Sequence, residues 1–512
     1  MSRTSAILAS PQARPGCALT ALLTAVSEFL PQVGQSHISP SAYDTAWVAC
    51  LRDPSDPPQP RFPASLDWLR AHQHADGSWG APWPYYHDRL LATLRAVLTL
   101  HGWGPLPSDR DRIEQGVGYI WRNADRLAHD PWETNGFELI FPALLAEATR
   151  RGIALPLDVF QELQQTGQAK LARIPAHLAY DQRSSPLTYN LEALITRFDP
   201  AHLSRLQDAS GGVFGSPAAT AVLLGQGDNA AAGRFLASAL AHDGQSVPTI
   251  FSIGILEISW ALYHLQMVLP DLYAPPAPAT AALLHALRTT MTPAGWAFNH
   301  GISVADGDDT AVCFAILSQA GDRLDPQLLY QYEQADSFCA YPGERNPSSS
   351  VNLHMLDALR HCPADERTPR IAKILRFLTA TQRPDGYWFD KWHVSPYYTT
   401  GHAVLALHDL APDLVRPSIA WMLGTQEADG SWGFYSSTVE ETAYVLLALL
   451  IWERAGHVVP TATLSAAAHY LQQHSSPDAQ GYPPLWIGKT LYAPLHIIQS
   501  AVLAALLAYE LR

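Results

Sequence analysis

Residues 426–433 read Gln-Glu-Ala-Asp-Gly-Ser-Trp-Gly, and two other stretches repeat the pattern: Gln-His-Ala-Asp-Gly-Ser-Trp-Gly at 73–80 and Gln-Arg-Pro-Asp-Gly-Tyr-Trp at 382–388. Each copy follows an apolar helical stretch and precedes another. Asp-Gly makes a tight turn because glycine tolerates positive φ. The glutamine amide can bond backbone groups at the next helix, and the indole can pack across the turn. The pattern reads as a staple between helices, not as a catalytic group. Trp388 and Trp432 stand 44 positions apart, the length of one helical hairpin repeat. The first copy lies far upstream, which implies a second, related helical unit.

Working outward, Leu90, Leu91, Leu94, Val97 and Leu98 recur at helical spacing, and Gly102 follows as a stop. Similar apolar segments start near Ala311, Val404 and Tyr444, and strand alternation is nearly absent. The expected fold class is all-α, as stacked helical hairpins or closed α/α barrels. The Pro-rich stretch Pro270–Pro278 reads as a linker between the two units.

At 512 residues the chain is too long for one core. Hydrophobic residues make up 47% and charged residues only 16%, against a usual ~25%. With 15 Trp, such a chain suits an apolar ligand or aromatic-lined cavities, or uses its indoles to fill helix junctions. A net charge of -14 argues against a nucleic-acid partner, which needs a basic footprint, and against a polybasic membrane anchor. No run approaches the ~20 apolar residues of a membrane span. Arg3, Arg14 and the apolar stretch Ala18 to Val26 do not form a clear secretion signal, though a short organelle transit segment stays open. The five Cys, at 17, 50, 313, 339 and 362, form no CxxC. This reads as a reduced, cytoplasmic protein.

The sharpest motif is Asp306-Gly-Asp308-Asp309-Thr-Ala311. Carboxylates this close cannot all ionise cheaply, so at least one pKa should rise and keep a proton at neutral pH. Two other readings stay open on chemistry alone: an N-cap for the helix that follows, and a metal-binding acidic cluster.

This segment resembles the DxDD-T-A motif of the class II terpene cyclases. Ser41–Trp47, Gly136–Pro142, Asp390–Tyr398, Glu440–Tyr444 and Leu485–Tyr492 resemble further segments of bacterial diterpene members. The resemblance implies that Asp308 is the general acid and that Asp306 and Asp309 orient and polarise it. It implies two helical barrels, β and γ, with the substrate between them. On that reading 1–54 is an N-terminal part of β, 55–265 is γ, and 266–512 is the rest of β with the acid.

The diterpene subclass acts on geranylgeranyl diphosphate and keeps the diphosphate. The resemblance puts Lys170 and Lys391 at diphosphate-binding positions, with Lys489 a further candidate, each a point charge for phosphate. It implies Mg²⁺, with Glu138 as a ligand candidate. Trp392, Tyr397 and Tyr398 are candidates to stabilise a cation through their ring faces. No DDxxD motif occurs, so a separate enzyme is expected to remove the diphosphate. In plant relatives that form the unrearranged copalyl skeleton, a His and an Asn hold the water that takes the final proton. Here Tyr189 and Thr249 stand at those positions. Neither is a good base near neutral pH, since Tyr titrates near ~10. Hydride and methyl shifts are then expected, giving a kolavenyl or halimadienyl diphosphate. Squalene-hopene-type cyclisation and a non-enzymatic helical binding module are the rival readings.

Overall fold

The computed structural model describes residues 15–104, 106–174, 185–302, 304–475 and 481–512. Arg3 and Arg14, and with them most of the N-terminal leader reading, lie outside the described residues.

Helices dominate, and they sort by burial. Gly254–Gln266, Gly307–Gln319, Ser349–Leu359, Pro396–Leu407, Val439–Arg454 and Leu495–Glu510 are buried nearly all round. Each packs on the next, and the last packs back on the first, so they close a ring. A helix apolar on every face belongs inside such a core. Amphipathic helices cover the outside, among them Pro278–Thr290, Ala364–Thr381, Pro412–Gly424 and Thr461–His474. Helix Pro15–Phe29 packs on Leu495–Glu510 and so joins this outer layer.

A smaller ring is closed by Ala42–Ala49, Tyr86–Gly102, Phe137–Arg150, Leu191–Leu194 and Pro217–Leu224. Two placements differ from the expected boundaries. Helix Ala42–Ala49 packs in the smaller ring although it lies within 1–54. Helix Gly254–Gln266 packs in the larger core, upstream of residue 265. The stretch Pro270–Pro278 connects two helices of that same core, and Leu272 and Tyr273 pack against it.

The staples work as read. Trp79, Trp388 and Trp432 are fully buried. Each indole N–H donates to a carbonyl near the end of the preceding helix: Leu69, Leu378 and Met422, at 2.7, 2.9 and 2.7 Å. Each Trp backbone N–H donates to a threonine of the next inner helix: Thr93, Thr400 and Thr442. The glutamines Gln73, Gln382 and Gln426 bond the turn glycine's carbonyl and a carbonyl of a following helix. The indole bonds fall on carbonyls of the preceding helix's last turn, where intrahelical partners run out.

One small element departs from the all-helical expectation. Trp486–Ile487 and Leu491–Tyr492 form a two-stranded hairpin. Its strands are docked by Val394 N–H to Leu485 O and Ile487 N–H to Trp392 O, and its turn by Asn135 N–H to Gly488 O. The hairpin thus bridges the two rings.

Candidate active site

A cavity of about 340 Å³ lies where the rings meet. Asp306, Asp308 and Asp309 form part of its wall on the larger ring, and Asn135, Gly136 and Asn190 part of its wall on the smaller. Trp260, Phe298, Trp392, Tyr398, Trp486 and Tyr492 supply aromatic surface. A larger hollow of about 770 Å³ inside the smaller ring holds none of the three aspartates.

The acid is built by division of labour at one helix start. Asp306 is the N-cap of Gly307–Gln319; its Oδ1 accepts the N–H groups of Asp308 and Asp309, at 3.0 and 2.9 Å. A cap of this kind contributes about 1 kcal/mol. Gly307 lies against the next loop, where a Cβ would meet the Cys339 carbonyl at 2.2 Å. Asp306 and Asp309 are both 4% exposed. Burial pushes the Asp306 carboxyl up to about 7, with the neighbouring Asp308 raising it further. Burial and the charge of Asp306 push Asp309 higher still. The N-cap reading is therefore realised by Asp306, and the raised-pKa reading by the pair Asp306 and Asp309.

Asp308 is free of the capping duty. Its Oδ1 shares a hydrogen with His354 Nδ1 at 2.6 Å, while its side chain keeps 18% exposure on the cavity wall. Its Oδ2 has no protein hydrogen bond among the described residues. One oxygen is thus oriented and the other can present a proton to the cavity. His354 is 1% exposed and packs edge-on against Trp260, Tyr263 and His402. His402 and His264 nearby are driven by burial below the usual imidazole range, so neither adds a positive charge beside His354. The sequence reading missed His354, because a lone His in an apolar helix carries no motif. It missed Trp260, Phe298 and Trp486 too.

The other expected residues divide. Trp392 and Tyr398 line the cavity. Tyr397 does not: its ring stacks on Trp421, 4.5 Å away. Tyr189 lines the cavity, and its hydroxyl donates to the Thr249 carbonyl at 3.2 Å, so the structure links the two positions. Burial raises the Tyr189 phenol well above its ordinary value. The Thr249 side chain is buried and is not on the cavity wall.

The lysines are all paired. Lys489 is fully buried, with Nζ on Glu192 at 2.7 Å and on Ser216 at 2.6 Å, so it is a structural ion pair sealed from the cavity. Lys391 pairs with Glu344, and its Nζ donates to the Asn346 carbonyl at 2.5 Å. Lys170, half exposed, pairs with Glu138, two residues beyond cavity-lining Gly136. Among the described residues no three His, Cys, Asp or Glu side chains are placed to hold a metal. Neither Glu138 nor the acidic motif belongs to such a group among the described residues.

A carboxyl with a free oxygen on the wall of an aromatic cavity between two helical rings has the geometry to protonate an apolar substrate. The comparisons agree. A family profile described as squalene-hopene cyclase C-terminal domain matches residues 344–478. A type B diterpene cyclase of Mycobacterium tuberculosis is 34% identical over 92% of this chain and 95% of that protein. The chain belongs to the class II diterpene cyclases. This diterpene cyclase is also similar to a (+)-kolavenyl diphosphate synthase of Herpetosiphon aurantiacus, at 30% identity over 93% of this chain and 94% of that protein. Among solved structures, the ent-copalyl diphosphate synthase of Streptomyces platensis superposes with a TM-score of 0.78 at 31% identity, covering 97% of this chain and 99% of that one. As an enzyme, the cyclase is an intramolecular lyase, an isomerase in net balance. No helix among the described residues is long and apolar enough to cross a membrane.

Proposed function

We propose that this cyclase converts geranylgeranyl diphosphate into a rearranged bicyclic diterpenyl diphosphate, kolavenyl or halimadienyl in skeleton. The observation that carries the reading is the free oxygen of Asp308 on the wall of a cavity whose remaining surface is largely aromatic. In this reading Asp308 gives its proton to the terminal alkene of the folded substrate, and its Oδ1 keeps its hydrogen bond to His354. Asp306 and Asp309 hold the helix start and shape the acidity of Asp308. The double bonds then close two rings in turn. Trp260, Tyr398 and Trp486 face the developing cation without offering a strong base.

The product assignment rests on Tyr189 and Thr249. The phenol of Tyr189 is engaged with a backbone carbonyl and held neutral, and the hydroxyl of Thr249 is off the cavity wall. Neither takes the first available proton, so shifts run before the cation is quenched. A product of unrearranged copalyl skeleton is the alternative, and it would require a base that these two positions do not supply.

The diphosphate is placed at the Asn135, Gly136 and Asn190 end, where Lys170 can be released from Glu138. Lys391 is the second candidate cation, reached from the Trp392 side. Mg²⁺ enters this reading as the counter-ion of the substrate, retaining waters and phosphate oxygens as ligands. The larger ring with helix Pro15–Phe29 corresponds to the β unit and the smaller ring to γ. Because the diphosphate survives, a second enzyme, one that ionises or hydrolyses it, consumes the product.

The test is incubation of the purified enzyme with geranylgeranyl diphosphate at low Mg²⁺, followed by dephosphorylation and identification of the alcohol by GC-MS and NMR. The expected result is a rearranged bicyclic alcohol that Asp308→Asn abolishes. A copalyl skeleton alone would overturn the product assignment. Turnover of squalene instead would overturn the substrate.

A further inference from the structure

We propose that Glu440 is a positioning residue for the cyclisation: a buried negative charge, bonded to the edge of Trp486, that makes the cavity's aromatic wall a better host for the carbocation. The proposal rests on the cyclisation described above.

Helix Val439–Arg454 opens with Thr438 as N-cap, placing Glu440 and Glu441 in its first turn, where the helix end favours negative charge. The two carboxyls have different duties. Glu441 closes the local turn, accepting from Ser395, Thr438 and the Phe434 N–H. Glu440 faces the cavity's wall from behind. Its Oε1 accepts from Trp486 Nε1 at 2.8 Å, from the Tyr444 hydroxyl at 3.1 Å and from His393 Nε2 at 3.2 Å.

The direction of the Trp486 bond is fixed. An indole N–H can only donate. His393 Nδ1 lies 3.1 Å from the Ser395 N–H and 3.2 Å from the Ser395 carbonyl, and its Nε2 faces Glu440. Oε1 thus gathers the hydrogen bonds of the Glu440 carboxyl, while its Oε2 is buried without a partner among the described residues. Glu440 and His393 are both sealed from solvent, and no Lys or Arg among the described residues pairs with Glu440. With His393 as its nearest possible charge partner, a carboxylate at this position sits in a low-dielectric interior, where its field reaches far.

That field meets the cavity through two rings. Trp486 lines the cavity, and its N–H is polarised by the carboxylate, which enriches the indole face. Tyr398 also lines the cavity; it stacks on His393 at 4.8 Å and meets Trp486 edge-on at 5.0 Å. Glu440 itself does not line the cavity. It can stabilise a cation without accepting its proton, which a chain of shifts requires.

The experiment compares Glu440→Gln, Trp486→Phe and the double variant on geranylgeranyl diphosphate. Glu440→Gln keeps an acceptor oxygen and removes the charge. It is expected to lower kcat about tenfold, to leave KM unchanged, and to shift products towards earlier-terminated skeletons. Trp486→Phe keeps a ring and removes the N–H, and should move products the same way. In the Trp486→Phe background, Glu440→Gln should have an effect smaller than about twofold. Wild-type products and kcat in Glu440→Gln would overturn the proposal. So would a Glu440→Gln effect of equal size in both backgrounds. If Glu440→Gln does not fold, an unchanged product pattern in Trp486→Phe alone overturns it. Should the wild-type enzyme be inert on geranylgeranyl diphosphate, the substrate reading falls instead, and the same comparison is made on the farnesyl diphosphate or squalene it does cyclise.

Discussion

Asp88 in the smaller ring and Asp308 in the larger both stand near the start of a stapled inner helix, and they do opposite things. Each sits in the first turn of an inner helix stapled by a tryptophan. Trp79 and Trp296 each donate an indole N–H to the preceding helix, at Leu69 and Leu287, both at 2.7 Å. Each bonds a threonine fourteen positions on, Thr93 and Thr310. Asp88, however, is saturated: Oδ2 accepts from the Ala81 N–H at 2.6 Å and Oδ1 from the Leu491 N–H at 2.9 Å. It fastens the smaller ring to the hairpin. At the larger ring Asp306 takes the backbone donors, and Asp308 is left with one histidine and one free oxygen. An aspartate keeps a free oxygen here because its neighbour does the capping.

Three experiments separate the two aspartates further. The largest effect should come from His354→Phe, which keeps a ring of similar size but removes the one hydrogen bond of the Asp308 side chain among the described residues. A loss of about 10²-fold in kcat is expected, with little change in thermal unfolding. Retained kcat would show that Asp308 is oriented by the helix start alone. The next largest concerns Asp88→Ala. Two buried N–H groups lose their acceptor, so stability should fall by about 1–3 kcal/mol in denaturant unfolding, while the Asp308-dependent product keeps its skeleton. A changed skeleton with unchanged stability would mean that Asp88 belongs to the site and not to its frame.

The comparison also shows what could be read from sequence. Three staples announce themselves as Gln-x-x-Asp-Gly-x-Trp. The fourth, Thr292-Pro-Ala-Gly-Trp296, keeps the bonds without the Gln or the Asp. A fifth, at Gln207–Val213, keeps the Gln and the threonine bond without the Trp. The contact is made by backbone groups and a threonine, so the letters around it drift. The acid was legible because three carboxylates in four residues must perturb one another wherever they fold. His354 was not, because its meaning depends on a helix 46 positions away. Lysines next to a motif were only half legible for a related reason: sequence gives their location, not whether a glutamate already holds them. Tyr397 and Tyr398 are adjacent, but successive helical residues point about 100° apart, so only one can face the cavity.

The smallest expected effect, and the sharpest test of the division of labour, is in pH. Burial pushes Asp306 up to about 7 and Asp309 higher. Both folded values lie above those of an unfolded carboxyl, so the native state binds more protons across that range. Stability is greatest at the acid end, falls as pH rises from about 4 to about 7, and then levels for Asp306. Activity should follow with the same sign. Below about 7 Asp306 is neutral, and Asp308 can release its proton beside an uncharged neighbour. Above it Asp306 carries a charge next to the carboxylate that Asp308 must become, and the acid weakens. The kcat of the wild-type enzyme should therefore fall several-fold on an alkaline limb near 7. Asp306→Asn, which keeps a side-chain oxygen for the two N–H groups and cannot ionise, should move that limb upward. An unmoved limb in Asp306→Asn would place the titrating group elsewhere and leave Asp306 as a cap alone.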